Sequence, residues 1–242
     1  MYKKFGPLLV LFFILFSSCQ NISRSRIELG IPERTVIFSF DDGPEGSNDA
    51  TARLLDVLKK HRIHAQFCLL GVNAEQYPDL VRRIYDEGHT IINHGYFDKH
   101  NIKMKNEKFR NNIIRGEEAI STALGFNWHP RLYRPHGGLY RSRHETIWID
   151  EGYAMAPVNV RVYDAVKAAP SRQKIIRRSI RKLEKQGGGI ILLHDSRGSF
   201  SRSEKICQKH PGSAFNRSWI PETVEELITI LQDNGFILTG KN

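Results

Sequence analysis

Short apolar, β-prone runs alternate with amphipathic helical segments along this chain, and that alternation constrains the fold more than any other feature. The runs are Thr35–Phe40, Ala65–Leu70, His89–Ile92, Arg131–Arg134, Tyr153–Val162, Gly189–Leu193 and Phe236–Leu238. Between them lie segments with apolar residues at helical spacing: Leu54, Leu55 and Leu58; residues 74–87; residues 106–124; residues 139–151; residues 171–186; and the stretch after Pro221. Strand–helix alternation predicts a parallel sheet with crossover helices, an α/β fold. With short helices and strands apolar enough to be buried on both faces, the sheet is expected to curl into a closed or nearly closed barrel. A chain of 242 residues with 40% hydrophobic content supports one such domain. In barrels of this kind, chemistry gathers at the C-terminal ends of the strands.

The strand ends are where the unusual residues fall. Thr35–Phe40 runs into Asp41, Asp42, Gly43 and Pro44. Two adjacent carboxylates at the end of a buried strand repel each other and are costly unless a metal, a cation or a shared proton offsets them. The same residues also read as an Asp-Gly turn at a loop mouth, and the downstream strand ends must decide. After the third strand come His94 and Asp98, four apart, which one helical turn would bring to the same side as metal ligands. After the fourth come Arg134, suited to hold an aspartate ionised, then His136 and the pair Gly137-Gly138, able to present bare backbone N–H groups. Asp164 ends a further strand, and His194, a natural proton shuttle, ends the apolar run Gly189–Leu193.

The N-terminus carries a separate signal. Lys3 and Lys4 precede the apolar run Phe5–Phe16, too short to span a bilayer and the right length for a secretory h-region. It closes on Ser17-Ser18-Cys19, which resembles a bacterial lipoprotein signal in which the cysteine is acylated. Residues 1–18 are therefore expected to be a signal peptide and residues 19–34 a tether, with the protein held in the cell envelope through a lipid on Cys19, or secreted if Cys19 is not acylated. A formal net charge of +10 favours anionic surroundings such as phospholipid or wall polymers. The basic residues are scattered and no nucleic-acid-binding motif accompanies them, so nucleic acid is not an expected partner. Cys68, inside an apolar strand, reads as a small buried hydrophobe.

In this order SFDDGP, NHGYFD, RPHGG, VYDA and LLH resemble the five motifs of the polysaccharide deacetylase family, also called the NodB-homology domain or carbohydrate esterase family 4. The resemblance covers residues 35–240 and implies a distorted (β/α) barrel. It implies a metal-dependent hydrolase that removes N-acetyl or O-acetyl groups from a surface or extracellular carbohydrate such as peptidoglycan, a chitin-like glycan or poly-N-acetylglucosamine. Carried over, it makes Asp41 the general base, Asp42, His94 and Asp98 the metal ligands, and Arg134 the residue that holds Asp41. Gly137 contributes a backbone N–H to the oxyanion, Leu192 lines the acetyl pocket, His194 is the acid, and Asp164 tunes it. One divalent metal is implied, zinc first, with cobalt, manganese or iron also admissible.

The chain departs from the family pattern in its middle motifs. Asp98 stands where the family has a second histidine, His136 replaces a proline and points toward a role in the site, and Gly137 replaces an aromatic. Arg161 stands where an aspartate is common and Ala165 where a tryptophan is common, which predicts an open, basic cleft. His100 is a reserve ligand, and residues 196–220 form an inserted loop and candidate substrate lid. The expected partner is an acetylated glycan, the expected state a monomer. The alternative is a surface lipoprotein that binds glycan without hydrolysing it.

Overall fold

The computed structural model describes residues 19–98, 101–129, 131–165, 171–199 and 216–239, with the isolated residues 205 and 209. The strands are β1 (Cys19–Asn21), β2 (Thr35–Gly43), β3 (Gln66–Leu69), β4 (Thr90–Asn93), β5 (Leu132–Tyr133), β6 (Leu139–Arg141), β7 (Ala154–Met155), β8 (Val160–Arg161), β9 (Gly188–His194) and β10 (Ile237–Leu238). The helices are α1 (Ala50–Lys60), α2 (Gly71–Gln76), α3 (Pro78–Asp86), α4 (Asn106–Leu124), α5 (Ser142–Asp150), α6 (Arg172–Gln186) and α7 (Ile220–Asp233).

The main sheet runs β7-β5-β4-β3-β2-β9-β8, with β10 beside β2. Its pairings are parallel, as crossover helices require. The sheet curls into a half-barrel, so the expected α/β barrel architecture holds as a single domain.

Strand alternation assigns the two faces. Val36, Phe38 and Phe40 are fully buried in the layer shared with the helices, together with Leu54, Leu58, Ile191, Leu193, Leu227 and Leu231. Ile37, Ile190 and Leu192 belong to the layer inside the curl, with Tyr133, Tyr140 and Trp148. Each large side chain so buried contributes about 1.5–3 kcal/mol relative to exposure. The period of two then places Ser39 and Asp41 on the inner face of β2, and His194 on the inner face of β9. In the parallel register Asp41 lies opposite His194.

Three expectations change. The helix expected over 74–87 is two helices, because Pro78 has no N–H to continue α2 and instead starts α3. Residues 139–141 form β6 before helix α5 begins. Residues 19–34 are not a loose tether. The strand β1 pairs antiparallel with β6, Ile22 and Ile31 are buried, and Ser23 bridges Val158 in the segment between β7 and β8, the two ends of the sheet. The apolar spacing of Ile22 and Ile31 gives that segment something to bury. Residues 1–18, residues 99–100 with His100, and most of the expected lid, including Cys207, lie outside the described residues. Cys68 is buried and free.

Candidate active site

A cavity of about 510 Å³ opens at the C-terminal ends of the strands. Asp41, Asp42, His94, His136, Asp164 and His194 all line it, with Gly137 and Leu192. Residues spread over more than 150 positions of sequence thus reach one place.

The two aspartates reach it by different means. Asp41 faces inward by strand alternation. Asp42 should then face outward, but its φ of 75° and a register shift against β3 between Asp41 and Gly43 re-aim its side chain to the same cavity. A non-glycine residue in that region is uncommon, and an aspartate tolerates it better than most.

Arg134 is fully buried and spends its guanidinium on Asp41 and its surroundings. Its Nη1 donates to Asp41 Oδ1 at 2.6 Å and to Ser39 Oγ at 2.7 Å, and its Nε donates to the Ala156 carbonyl at 3.0 Å. Burial alone would raise the Asp41 carboxyl. The charges of Arg134, His94 and His194 outweigh it and hold the group below the usual carboxylate value. Asp41 is therefore ionised at neutral pH with Oδ1 occupied and Oδ2 left toward His94.

The second group converges on Asp42. His94 is 1% exposed, and its Nδ1 donates to the Arg134 carbonyl at 2.7 Å, which leaves Nε2 as the acceptor nitrogen, 3.5 Å from Asp42 Oδ1. His136 Nδ1 lies 3.3 Å from the same oxygen, and the two imidazole centroids are 5.2 Å apart. Ligand atoms held about 2.0–2.1 Å from a tetrahedral zinc lie roughly 3.3–3.4 Å from one another. Asp42, His94 and His136 each offer one atom within 4.8 Å of the other two, so this set fits a metal ion. Burial would raise the Asp42 carboxyl, but hydrogen bonding and charge from His136 and His94 hold it well below the usual range. Burial opposes a proton on His136, yet Asp42, Asp98 and Asp41 together raise its pKa.

Asp98 is not one of the three converging residues. The helical turn expected from His94 to Asp98 does not form: Gly95 has φ 84°, and the Tyr96 and Phe97 backbone N–H groups donate to the Asn112 side chain. Asp98 lies instead where its charge bears on His136. The third convergent residue comes from the next strand end, and the sign of it was a histidine where the family has proline, in a Gly-rich loop.

The third group is a buried relay. His194 Nδ1 hydrogen-bonds Asp164 Oδ1 at 2.9 Å, and its backbone N–H donates to Asp164 Oδ2 at 2.9 Å. Burial lowers the His194 pKa, but Asp164, Asp42 and Asp41 overcome it and push it up to about 9. Burial would likewise raise Asp164, and His194 with Arg217 brings it below its ordinary value. Arg217, which no motif announced, is fully buried and donates from Nη1 to the Asp164 carbonyl at 2.9 Å. Gly137, at φ 77°, takes a conformation that side-chain-bearing residues avoid, and Leu192 lies on the cavity wall.

The arrangement contains an ionised carboxylate, a cluster of two histidines and one carboxylate with the geometry to hold a metal, and a protonated histidine around one cavity. The chain is similar to known proteins in sequence and in fold. A peptidoglycan-N-acetylglucosamine deacetylase of Bacillus cereus is 42% identical over 103 residues, 43% of this chain and 36% of that protein. A chitooligosaccharide deacetylase of Bradyrhizobium sp. is 27% identical over 209 residues, 84% of this chain and 87% of that protein. Thus this chain spans about a third of the first relative and most of the second. Among solved structures, the Bc1960 peptidoglycan N-acetylglucosamine deacetylase superposes with a TM-score of 0.67 at 27% identity, over 86% of each chain. BA3943, a family pseudoenzyme from Bacillus anthracis, superposes equally well, at 0.67, with 21% identity over 86% of this chain and 63% of that one, a likeness of fold alone. The polysaccharide deacetylase family model matches residues 30–156, more than half of the chain, and this protein belongs to that family.

Proposed function

We propose that this protein is a metal-dependent hydrolase that removes acetyl groups from an envelope or extracellular carbohydrate. The observation that carries the reading is the separation of partners: Arg134 on Asp41, two histidines on Asp42, and Asp164 on His194. Asp42, His94 and His136 would hold the metal. Two imidazoles and one carboxylate are a donor set that zinc takes in hydrolases, which makes zinc the first candidate. When bound, such an ion lowers the pKa of water and polarises the amide carbonyl.

The remaining work falls to the protein's own groups. Asp41 is kept ionised by Arg134 and accepts the proton of the attacking water at Oδ2. His194, kept protonated by Asp164, donates to the leaving nitrogen. Gly137 and Leu192, on the cavity wall, take the oxyanion and acetyl methyl roles that the resemblance implies.

Relatives named for peptidoglycan and chitooligosaccharide deacetylation support an N-acetylated glucosamine polymer as the substrate class. The likeness to a pseudoenzyme is a reminder that the fold does not dictate catalysis. A binding-only protein accounts for the cavity but not for a separate charged partner on each of Asp41 and His194. Acetate release from a panel of acetylated glycans, with and without chelator, is the test. No release from any member by protein with bound metal sinks the hydrolase.

The lipid anchor at Cys19 and the envelope location belong to the same proposal. Ile22 lines the cavity, three residues beyond Cys19. Three residues of extended chain reach only about 10 Å, so an acylated Cys19 would hold the cavity mouth close to the bilayer. Mass analysis of the N-terminal peptide of the mature protein checks the modification: an unacylated Cys19 removes this part.

A further inference from the structure

The charge on the cavity wall is not used up by the proposed chemistry. Three carboxylates line the cavity, and each has its answer: Asp41 in Arg134, Asp42 in His94 and His136, and Asp164 in His194 and Arg217. Arginine is left over. Arg161 lines the cavity with its guanidinium beside Gly138, and makes no side-chain hydrogen bond or ion pair among the described residues. Arg217 is 0% exposed, also lines the cavity, and its Nε and Nη2 find no acceptor among the described residues. A buried guanidinium with two unanswered donors is costly unless something anionic or strongly accepting meets it.

The surplus continues outward. Lys182 Nζ donates to the Arg161 carbonyl at 2.6 Å and lies 5.0 Å from the Tyr163 ring centroid, and Tyr163 is itself on the cavity wall. Beyond it, helix α6 exposes Lys174, Arg177, Arg181 and Lys185, with no ion pair on any of them among the described residues. Glu184 is the only acid on that helix, and of its basic residues Arg172 alone has an ion pair among the described residues, to Glu226. A cationic track thus runs from the surface of α6 across the rim to the unpaired guanidinium of Arg161 in the cavity wall, with Arg217 buried behind it against Asp164. Arginine is the side chain best shaped for carboxylate and phosphate oxygens.

We propose that the glycan taken by this cavity carries negative charge, a carboxylate or a phosphate, beside the acetylated sugar under attack, and that Arg161 reads that charge. The inference rests on the deacetylase reading for its reaction but not for its binding. The aspartate common to the family at position 161 would repel such a substrate. The arginine attracts it.

The test compares kcat/KM on three acetylated oligosaccharides of one backbone: neutral, carboxylate-bearing and phosphate-bearing. Wild type, Arg161→Gln and Arg161→Lys are assayed at low and high salt. The wild type is expected to favour at least one acidic substrate about tenfold over the neutral one, mainly through KM, and to lose the preference in high salt. The preferred arm identifies the group. Arg161→Gln should collapse the acidic-to-neutral ratio toward one, and Arg161→Lys should restore part of it.

A wild type with no acidic preference overturns the inference, as does an Arg161→Gln variant that loses activity on all three in proportion. Direct binding of labelled oligosaccharides separates this idea from the hydrolase reading. Acidic oligosaccharide bound through Arg161 without acetate release upholds the charge reading and defeats the activity. Acetate release from neutral and acidic glycan alike does the reverse. Binding to anionic phospholipid vesicles with none to acidic oligosaccharide also overturns it.

Discussion

His136→Ala tests the least expected part of the site. His136 Nδ1 lies 3.3 Å from Asp42 Oδ1, and His94 Nε2 lies 3.5 Å from the same atom. If those three atoms form the metal site, the substitution removes one ligand of three. Loss of a residue that merely orients a ligand weakens metal binding about 10–100-fold, so loss of the ligand itself should exceed about 100-fold, or about 2.7 kcal/mol. Asp98→Asn is the matched control. Asp98 acts on His136 by charge and is not among the convergent atoms, so its neutralisation should stay within the range of an orienting residue. Competition of zinc between each purified variant and a chromophoric chelator reads both affinities without any substrate. If His136→Ala binds zinc like wild type while Asp98→Asn loses it, the ligand set read from the first two motifs is right and the geometric argument is wrong.

Four further outcomes follow from the same contacts. Asp41→Asn should keep zinc affinity and lower kcat by about 10²–10⁴-fold, since it removes the proton acceptor and not a ligand; full activity in acetate release would reassign the base. His194 must be protonated to donate, and its folded pKa of about 9 means that activity persists at neutral pH and falls as pH rises through that value. A bound cation partly cancels the Asp41 and Asp42 charges that help raise it, so NMR titration should place the metal-loaded value below the metal-free one, and Asp164→Asn should move the alkaline limb to lower pH. Arg134→Met leaves Asp41 buried without its cation, and denaturant unfolding should show a loss of about 3–5 kcal/mol; a change below 1 kcal/mol would mean that water reaches Asp41. Ile22→Ala should cost about 2–5 kcal/mol if residues 19–34 are part of the domain, and almost nothing if they are a tether.

Much of this was readable from residue order. The strand–helix alternation carried the fold class, because parallel sheets buried on both faces need crossover helices and leave apolar runs. Asp41, Arg134, Asp164 and His194 were readable because each ends or follows a strand, where period-two alternation limits which way a side chain can face. The helical turn expected between His94 and Asp98 fails for a physical reason. A four-residue spacing carries meaning only on a helix, and the backbone at Gly95 turns into the left-handed region while Asn112 ties down the next two N–H groups. Arg217 was invisible because nothing local distinguishes it: its role depends on a contact with Asp164, 53 residues away. The packing of residues 19–34 was missed because a polar segment with isolated isoleucines looks like a linker until its partners, β6 and Val158, are in place.

Adjacent aspartates in a regular strand would point to opposite faces, and only one would see the cavity. The positive φ at Asp42 breaks that rule and brings two like charges into one site, which should raise the pKa of at least one of them. Neither is raised; both lie below the ordinary value, because His94 and His194 act on both, with Arg134 added at Asp41 and His136 at Asp42. The division supports the two roles proposed for them. The carboxylate held by an arginine that stays charged at any working pH is free to take up a proton at its other oxygen. The carboxylate held by two imidazoles shares donors that a metal ion can use together with it. The backbone distortion at Asp42 and the arginine behind Asp41 thus act on the two acids separately: the first admits Asp42 to the cavity, and the second occupies one oxygen of Asp41.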